Sequence, residues 1–386
     1  MNNETFCSLP FTGVFLGPDG GIKSCCSARK NLGSLREQPI DEIINSNLAK
    51  EVRQSILKGE WHEYCGQCKQ LEENGSPSER TKDLEDFVAK HREPTKDFFI
   101  PIRLDLRWSN LCNLNCVYCF EYFSSRWAKI NEKKVVGISK ENVDSLLNLI
   151  EKNIEQNKAI QEATLILGGE PLLHPANIRL LDILKDNSVY VLSNFAVPLE
   201  SNAVAQHMFN HNHLGFGISF ETVGIKFEYV RRQAQWEQFV ANIDYYNNLN
   251  RKNNLTAHSL YSIYSAFNLI EFYDFITEKK FRKVNWNLLQ STGESEHANV
   301  LRLPSSLREL AWNEIQKCQK KYPDAPGMDN LLDYAEKLNS PIITTDLNYS
   351  EIFLNEIHKI ENKLPSDIYK FSLLWPDVYR ILNECR

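Results

Sequence analysis

No stretch of the 386-residue chain approaches the roughly 20 consecutive apolar residues that a membrane-spanning helix needs. The start, MNNETFCSLPFTG, lacks a basic segment followed by an apolar one, so no secretory leader is expected. Neither sign of charge is in large excess. A net charge of −6 gives no electrostatic ground for expecting a nucleic acid partner. Internal repeats and low-complexity tracts are absent too. With 42% apolar residues the composition is that of an ordinary globular protein, long enough for two or three domains. These absences point to a cytoplasmic protein with no membrane partner.

Cysteine, in contrast, is plentiful. Of ten cysteines, only Cys318 and Cys385 stand apart; the others are Cys7, Cys25, Cys26, Cys65, Cys68, Cys112, Cys116 and Cys119. In a reducing compartment such clustering favours metal binding over disulfides, the alternative that the residues alone leave open.

The pattern along the chain suggests three regions, 1–97, 98–292 and 293–386. In the first, "GVFLGPDGGIKSCC" reads as a hairpin, with Pro18-Asp19-Gly20-Gly21 as turn chemistry. Leu48, Val52 and Ile56 recur at helical spacing over 47–58, and Gly59 is placed to stop that helix. The stretch 76–97 is charged and reads as a linker or an exposed helix.

In the second region, strand candidates at 102–108, 163–169, 189–195, 215–220, 258–265 and 284–289 are mostly separated by amphipathic helices. One helix places Val143, Leu146, Leu147, Ile150 and Ile154 on a single face behind Ser139 as N-cap. Six such strands argue for a parallel α/β sheet or barrel, whose chemistry lies at the carboxyl ends of the strands. "SNLCNLNCVYC" and "GGEP" follow the first and second strands directly. The last region reads as helices at 305–321, 329–338, 348–363 and 366–383, with no chemical cluster of its own.

Cys112, Cys116 and Cys119 supply three thiolates from one loop. A structural zinc site wants four ligands, whereas three thiolates on a four-iron cluster leave one iron open for chemistry. The CxxxCxxC loop after a first strand, with Gly168-Gly169-Glu170-Pro171 after the second, resembles the radical S-adenosylmethionine superfamily.

That resemblance implies a partial (β/α)6 barrel of the TIM type. It also implies S-adenosylmethionine as cofactor, chelated at the open iron of a catalytic 4Fe–4S cluster. Gly168, Gly169 and Glu170 would approach the methionine group, and Tyr118 would pack against adenine. Ser193, Asn194, Ser219 and Glu221 fall where the family binds carboxylate and ribose. Arg231 would pair with the methionine carboxylate, and Asn268 is a further match. The implied activity is reductive cleavage of S-adenosylmethionine and abstraction of a substrate hydrogen, with an electron from a donor such as flavodoxin or ferredoxin.

The N-terminal cysteines resemble the opening pattern of SPASM and twitch domains, which hold auxiliary 4Fe–4S clusters. On that resemblance Cys7, Cys25, Cys65 and Cys68 are the ligands, with Cys26 able to replace Cys25 and zinc as the alternative metal. The resemblance thus implies a small N-terminal hairpin-and-helix cluster domain, a barrel and a helical C-terminal region. In the better-known members the auxiliary domain follows the barrel; here it precedes it.

Two substrate classes follow: a peptide or protein residue to be oxidised, cross-linked or epimerised, or a small molecule such as a sugar, alcohol or nucleotide. A zinc-stabilised binding protein is the non-enzymatic reading. Among smaller signals, His174 could donate a proton or cap a loop, and "HNH" at 211–213 reads as a loop. Trp108, Trp127 and Tyr122 could line a pocket, with core packing the commoner role, and Cys318 and Cys385 read as inert thiols.

Overall fold

Short β-branched and leucine-rich runs bounded by turn residues build the longer strands. They are β1 (Gly13–Leu16), β2 (Gly21–Lys23), β3 (Gly33–Ser34), β4 (Arg103–Leu106), β5 (Asn115–Cys116), β6 (Thr164–Ile166), β7 (Val189–Ser193), β8 (Leu214–Ser219), β9 (Arg231–Arg232), β10 (Thr256–Tyr261) and β11 (Lys283–Leu288). The computed structural model describes residues 5–73, 78–82, 95–134, 137–157, 164–166, 168–249, 255–289, 295–339 and 348–385. The chain forms two compact units. One holds residues 1–111, 135–191 and 203–215; the other holds 112–134, 192–202 and 216–386.

In the first unit, β4, β6 and β7 run parallel, with Leu106 opposite Ile166 and Ile166 opposite Val191. β1 joins the free edge of β4, also parallel, with Gly13 opposite Arg103 and Leu16 opposite Leu106. β2 and β3 continue outward as antiparallel neighbours. The cysteine-bearing N-terminal segment is therefore hydrogen-bonded into the sheet. Gly20, at φ +85°, lets the β1–β2 turn close as the sequence anticipates.

The helix Asn47–Lys58 begins at Ser46, whose Oγ accepts from the Ala49 amide, and ends at left-handed Gly59. The helix Lys140–Asn157 begins behind Ser139, whose Oγ accepts from the Asn142 amide at 3.3 Å. Arg53 is buried, with its guanidinium shared among the carbonyls of Lys96, Pro10 and Ile44.

In the second unit, β8, β10 and β11 are parallel, and Ser219, His258 and Asn285 lie side by side. Ile218, Ala257, Val284 and Trp286 are buried on the other face of these strands. There the helix Leu269–Glu278 packs, with Phe272 ring to ring with Trp286 at 4.9 Å. The helices Ser305–Lys321, Met328–Leu338 and Tyr349–Lys363 match their sequence patterns closely. The fourth expected helix is broken in two, Phe371–Leu374 and Pro376–Glu384, because Pro376 has no N–H and starts a new helix.

The strand expected at 258–265 stops at Tyr261, where Ser262 and Ser265 bond into a turn. Residues 163 and 167 of the expected second strand, and most of 76–97, lie outside the described residues; within the latter Glu79–Lys82 is a short helix. Among the described residues no helix is long and apolar enough to cross a membrane.

Candidate functional site

The loop carrying Cys112, Cys116 and Cys119 is fixed mainly through its backbone. β5 pairs antiparallel with β9, Asn115 opposite Arg232 and Cys116 opposite Arg231, and the Val117 amide donates to the Val230 carbonyl at 2.9 Å. On the other side stands the helix Ser125–Ile130. Its cap Ser124 donates to the Leu114 carbonyl at 2.8 Å, and Trp127 Nε1 donates to the Cys116 carbonyl at 2.9 Å.

The three thiols are half-buried. Burial pushes the Cys119 thiol well up, and Cys116 and Cys112 push it further, so the three lie within one another's electrostatic reach. A bound cation removes that penalty by taking the thiolate charge. Three soft donors from one loop fit an iron–sulfur cluster by their chemistry. Asn194 flanks them, its Nδ2 3.9 Å from Cys112 Sγ and 2.8 Å from Asn113 Oδ1.

Beside the loop lies a buried ionic group. Glu221 accepts from Arg231 Nη2 at 2.8 Å and from the Tyr118 hydroxyl at 3.0 Å, and Arg231 sits 5.9 Å from the Tyr118 ring centre. Burial works against the Arg231 charge, but Glu221, Tyr118 and Cys116 outweigh it and hold the guanidinium protonated. Burial pushes the Tyr118 hydroxyl well up, so it stays a donor. Sequence reasoning had Arg231 meet a ligand carboxylate; in the structure its partner is the protein's own Glu221.

Ser193 is buried, its Oγ accepting from the Phe195 amide, while Ser219 ends β8 half-buried. Asn268 donates to the Tyr264 carbonyl and accepts from Lys226.

The element Gly168-Gly169-Glu170-Pro171 lies in the first unit. Both glycines are left-handed, at φ +77° and +58°. A Cβ on Gly169 would stand 2.2 Å from the Leu111 carbonyl oxygen, and one on Gly168 would stand 2.6 Å from Arg107 Cβ. The Glu170 amide donates to that same Leu111 carbonyl at 2.7 Å, one residue before Cys112 in the chain. Glu170 is fully buried and its carboxylate accepts from the Leu172 amide.

Trp108 is a core residue whose Nε1 donates to Asn177 Oδ1 at 2.7 Å. His174 bonds Ser109 through Nε2, and burial lowers its pKa to about 4, so it is neutral at pH 7. It serves to hold the loop, which removes it as a cationic proton donor. His211 likewise bonds the Leu184 carbonyl and the His213 amide, closing a turn.

The N-terminal cysteines come from three segments. Cys7 precedes the helix Leu9–Thr12, Cys25 follows β2, and Cys65 and Cys68 open the helix Gly66–Glu73. Buried Tyr64, whose hydroxyl accepts from the Ser24 amide at 2.7 Å, draws the last two segments together. All four thiols line one cavity with Leu9, Ile56, Trp61 and Arg80.

Burial raises the Cys7 thiol strongly and those of Cys25 and Cys65 to about 12, and neighbouring thiols add to each rise. Cys26 is exposed and does not line the cavity. Among the described residues no three His, Cys, Asp or Glu side chains close on a single-ion site; the four cysteines line a shared space instead. A donor set of four thiols, Cys7 and Cys68 buried and Cys25 and Cys65 half-buried, fits a fully ligated cluster.

One feature escaped the sequence. A cavity of about 830 Å³ has Cys119, Phe120 and Trp127 in its wall, facing Ile352, Glu356 and Lys363 of the helix Tyr349–Lys363. The helical region without chemical motifs therefore walls the space beside the cysteine loop. Exposed Ile352, at an outward position of an otherwise polar helix face, is the sequence signal that could have marked it.

Residues 106–275 match the radical SAM superfamily. That stretch carries a radical SAM superfamily domain. Residues 7–69 match SPASM, an iron–sulfur cluster-binding domain. The cofactors that these two domains imply are S-adenosylmethionine and a 4Fe–4S cluster, with auxiliary iron–sulfur binding in the N-terminal domain.

No curated protein matches the chain. Among solved structures, native anSMEcpe with bound AdoMet is 15% identical at a TM-score of 0.44, over 60% of this chain and 62% of that one. Streptococcus suis SuiB bound to S-adenosylmethionine is 17% identical at 0.44, over 74% and 62%. TYW1 with a lysine-pyruvate adduct is 12% identical at 0.39, over 58% and 74%. The chain spans about six-tenths of the length of the first two.

Proposed function

We propose that this radical SAM enzyme modifies a residue of a peptide or protein by hydrogen abstraction. Cys112, Cys116 and Cys119 hold the catalytic cluster, and Cys7, Cys25, Cys65 and Cys68 hold the auxiliary one. A cluster held there and reduced by a donor such as flavodoxin or ferredoxin would supply the electron for reductive cleavage of S-adenosylmethionine.

The chain's own residues bind and position. β9 and Trp127 set the backbone of the cysteine loop. The Tyr118–Glu221–Arg231 group fixes the aromatic face beside the third thiol. Gly168 and Gly169 let their backbone pack closely against Arg107 and Leu111, the residue before the cysteine loop.

The observation that carries the peptide reading is the cavity beside Cys119. Its wall combines apolar residues (Val117, Ile130, Ile352, Ile360) with charges of both signs (Glu121, Lys133, Glu296, Arg302). A polypeptide carries both kinds of group; a sugar or nucleotide would match fewer of them. The volume alone also lies within the range of small-ligand sites, which keeps a small-molecule substrate as the second reading.

Oxidation or cross-linking would need an acceptor for the electron left after abstraction, which a cluster held by Cys7, Cys25, Cys65 and Cys68 would supply; epimerisation would instead need a hydrogen-atom donor such as a thiol. The test is 5′-deoxyadenosine formation by anaerobic holoenzyme with a synthetic peptide library, followed by mass spectrometry of the peptides. Peptide-dependent stimulation with loss of two hydrogens, or with deuterium taken up from heavy water, supports the proposal. Stimulation by sugars or nucleosides and by no peptide overturns it.

A further inference from the structure

Arg231 and Arg232 are neighbours on β9, both buried, and strand geometry turns their side chains to opposite faces. Arg231 serves the cysteine loop through Glu221 and Tyr118. Arg232 faces the other way. Its guanidinium lies between the rings of Tyr229 at 4.6 Å and Tyr369 at 4.9 Å, and its Nη2 donates to the Tyr369 carbonyl at 2.6 Å.

The segment it meets is tied down in turn. The Tyr369 hydroxyl donates to Glu228 at 2.6 Å, while Glu361 accepts from the Tyr229 hydroxyl at 3.0 Å and from the Phe371 amide at 2.7 Å. A second tie leaves the same segment. Lys363 donates to Asn131 Oδ1 at 2.7 Å, and Asn131 Nδ2 donates to Glu121, two residues past Cys119, at 3.0 Å. One chain of contacts thus reaches the strand pairing at Asn115–Cys116 and the other reaches the residues after Cys119.

We propose that residues 361–371 are a latch that sets the position of the cysteine loop, with Arg232, Tyr369 and Lys363 as positioning residues. The proposal rests on the reading of that loop as the catalytic cluster's holder and is independent of the substrate. Stacked between two rings and bonded to a carbonyl, Arg232 is desolvated on every side. A guanidinium so placed orders the partners it joins more than a solvated one would. Loss of the latch frees β9, and with it the loop that must keep three thiolates at fixed spacing.

The experiment uses full-length, reconstituted holoenzyme under anaerobic conditions. Wild type, Tyr369→Ala/Lys363→Ala and Arg232→Met are challenged with an iron chelator in the presence of iodoacetamide, and labelled cysteines are read by peptide mass spectrometry. S-adenosylmethionine affinity is measured on the same preparations, together with the electron paramagnetic resonance signal of the reduced cluster.

The latch predicts labelling of Cys112, Cys116 and Cys119 accelerated about tenfold or more, the scale of one lost charge-assisted hydrogen bond. Labelling of Cys7, Cys25, Cys65 and Cys68 stays at the wild-type rate. Affinity for S-adenosylmethionine falls by a similar factor, and the cluster signal broadens. Tyr369→Phe alone, which keeps the ring over Arg232 and leaves the Lys363–Asn131 tie in place, stays close to wild type. Unchanged labelling and affinity in the Tyr369→Ala/Lys363→Ala protein would overturn the proposal. Equal acceleration at both cysteine sets would overturn it too, because that marks general loosening. Failure to find a peptide substrate would leave these readouts intact.

Discussion

Replacing Gly169 with alanine gives a perturbation whose cost divides into two parts. The residue stands at φ +58°, where an L side chain costs about 1–2 kcal/mol against the ordinary helical region. Its Cβ would also fall 2.2 Å from the Leu111 carbonyl oxygen, a backbone atom that cannot rotate away. Forcing a methyl into filled space costs about 1–3 kcal/mol through displaced neighbours. The sum is about 2–5 kcal/mol.

Gly224 separates the parts. It stands at φ +59° with nothing within 4 Å of the Cβ it would acquire, so Gly224→Ala pays only the first, about 1–2 kcal/mol. Urea unfolding of the two variants against wild type measures the difference. In Gly169→Ala the strain falls on the Glu170–Leu111 hydrogen bond, so S-adenosylmethionine affinity should drop as well; in Gly224→Ala it should not. Equal destabilisation of the two variants would refute the steric argument and leave only the backbone dihedral.

Three more outcomes are expected. Cys25→Ala should lose about four irons per chain, the content of one cubane, while Cys26→Ala keeps them, since only Cys25 lines the N-terminal cavity; quantitative iron analysis decides. Arg231→Gln should destabilise by about 3–5 kcal/mol by leaving Glu221 buried without its partner, and Arg231→Gln/Glu221→Gln should cost less than the two single changes added, in a double-mutant cycle. His174 has a folded pKa of about 4, below its unfolded value. The unfolded chain therefore binds the extra proton first, and stability falls as pH drops from about 6.5 to 4. Acid unfolding of His174→Gln should show a shallower loss over that window.

Much of this was legible because it is local. The hairpin of β1 and β2 is written in Pro18-Asp19-Gly20-Gly21, and the helix 47–58 in the spacing of Leu48, Val52 and Ile56 and in its stop Gly59. The cysteine spacing names its own chemistry, and the two glycines after β6 announce a close approach. What stayed hidden depends on partners distant in sequence. Two-residue strands such as β5 and β9 leave no periodicity to read, so their pairing, and the opposite facing of Arg231 and Arg232, could not be foreseen.

The Arg231–Glu221 pair illustrates the same limit: a resemblance assigns an arginine to a ligand, but only three-dimensional placement shows a carboxylate 2.8 Å away. The pairing of β1 onto β4, and the cavity wall built from the helix Tyr349–Lys363, are likewise tertiary facts.

The most direct test of the central claim is anaerobic iron and sulfide content with S-adenosylmethionine cleavage under strong reductant. It compares wild type with Cys112→Ala/Cys116→Ala/Cys119→Ala. The account predicts about eight irons per chain in wild type and about four in the triple variant, with 5′-deoxyadenosine formed only by wild type. A reconstituted wild-type protein that holds no iron and cleaves no S-adenosylmethionine would contradict it.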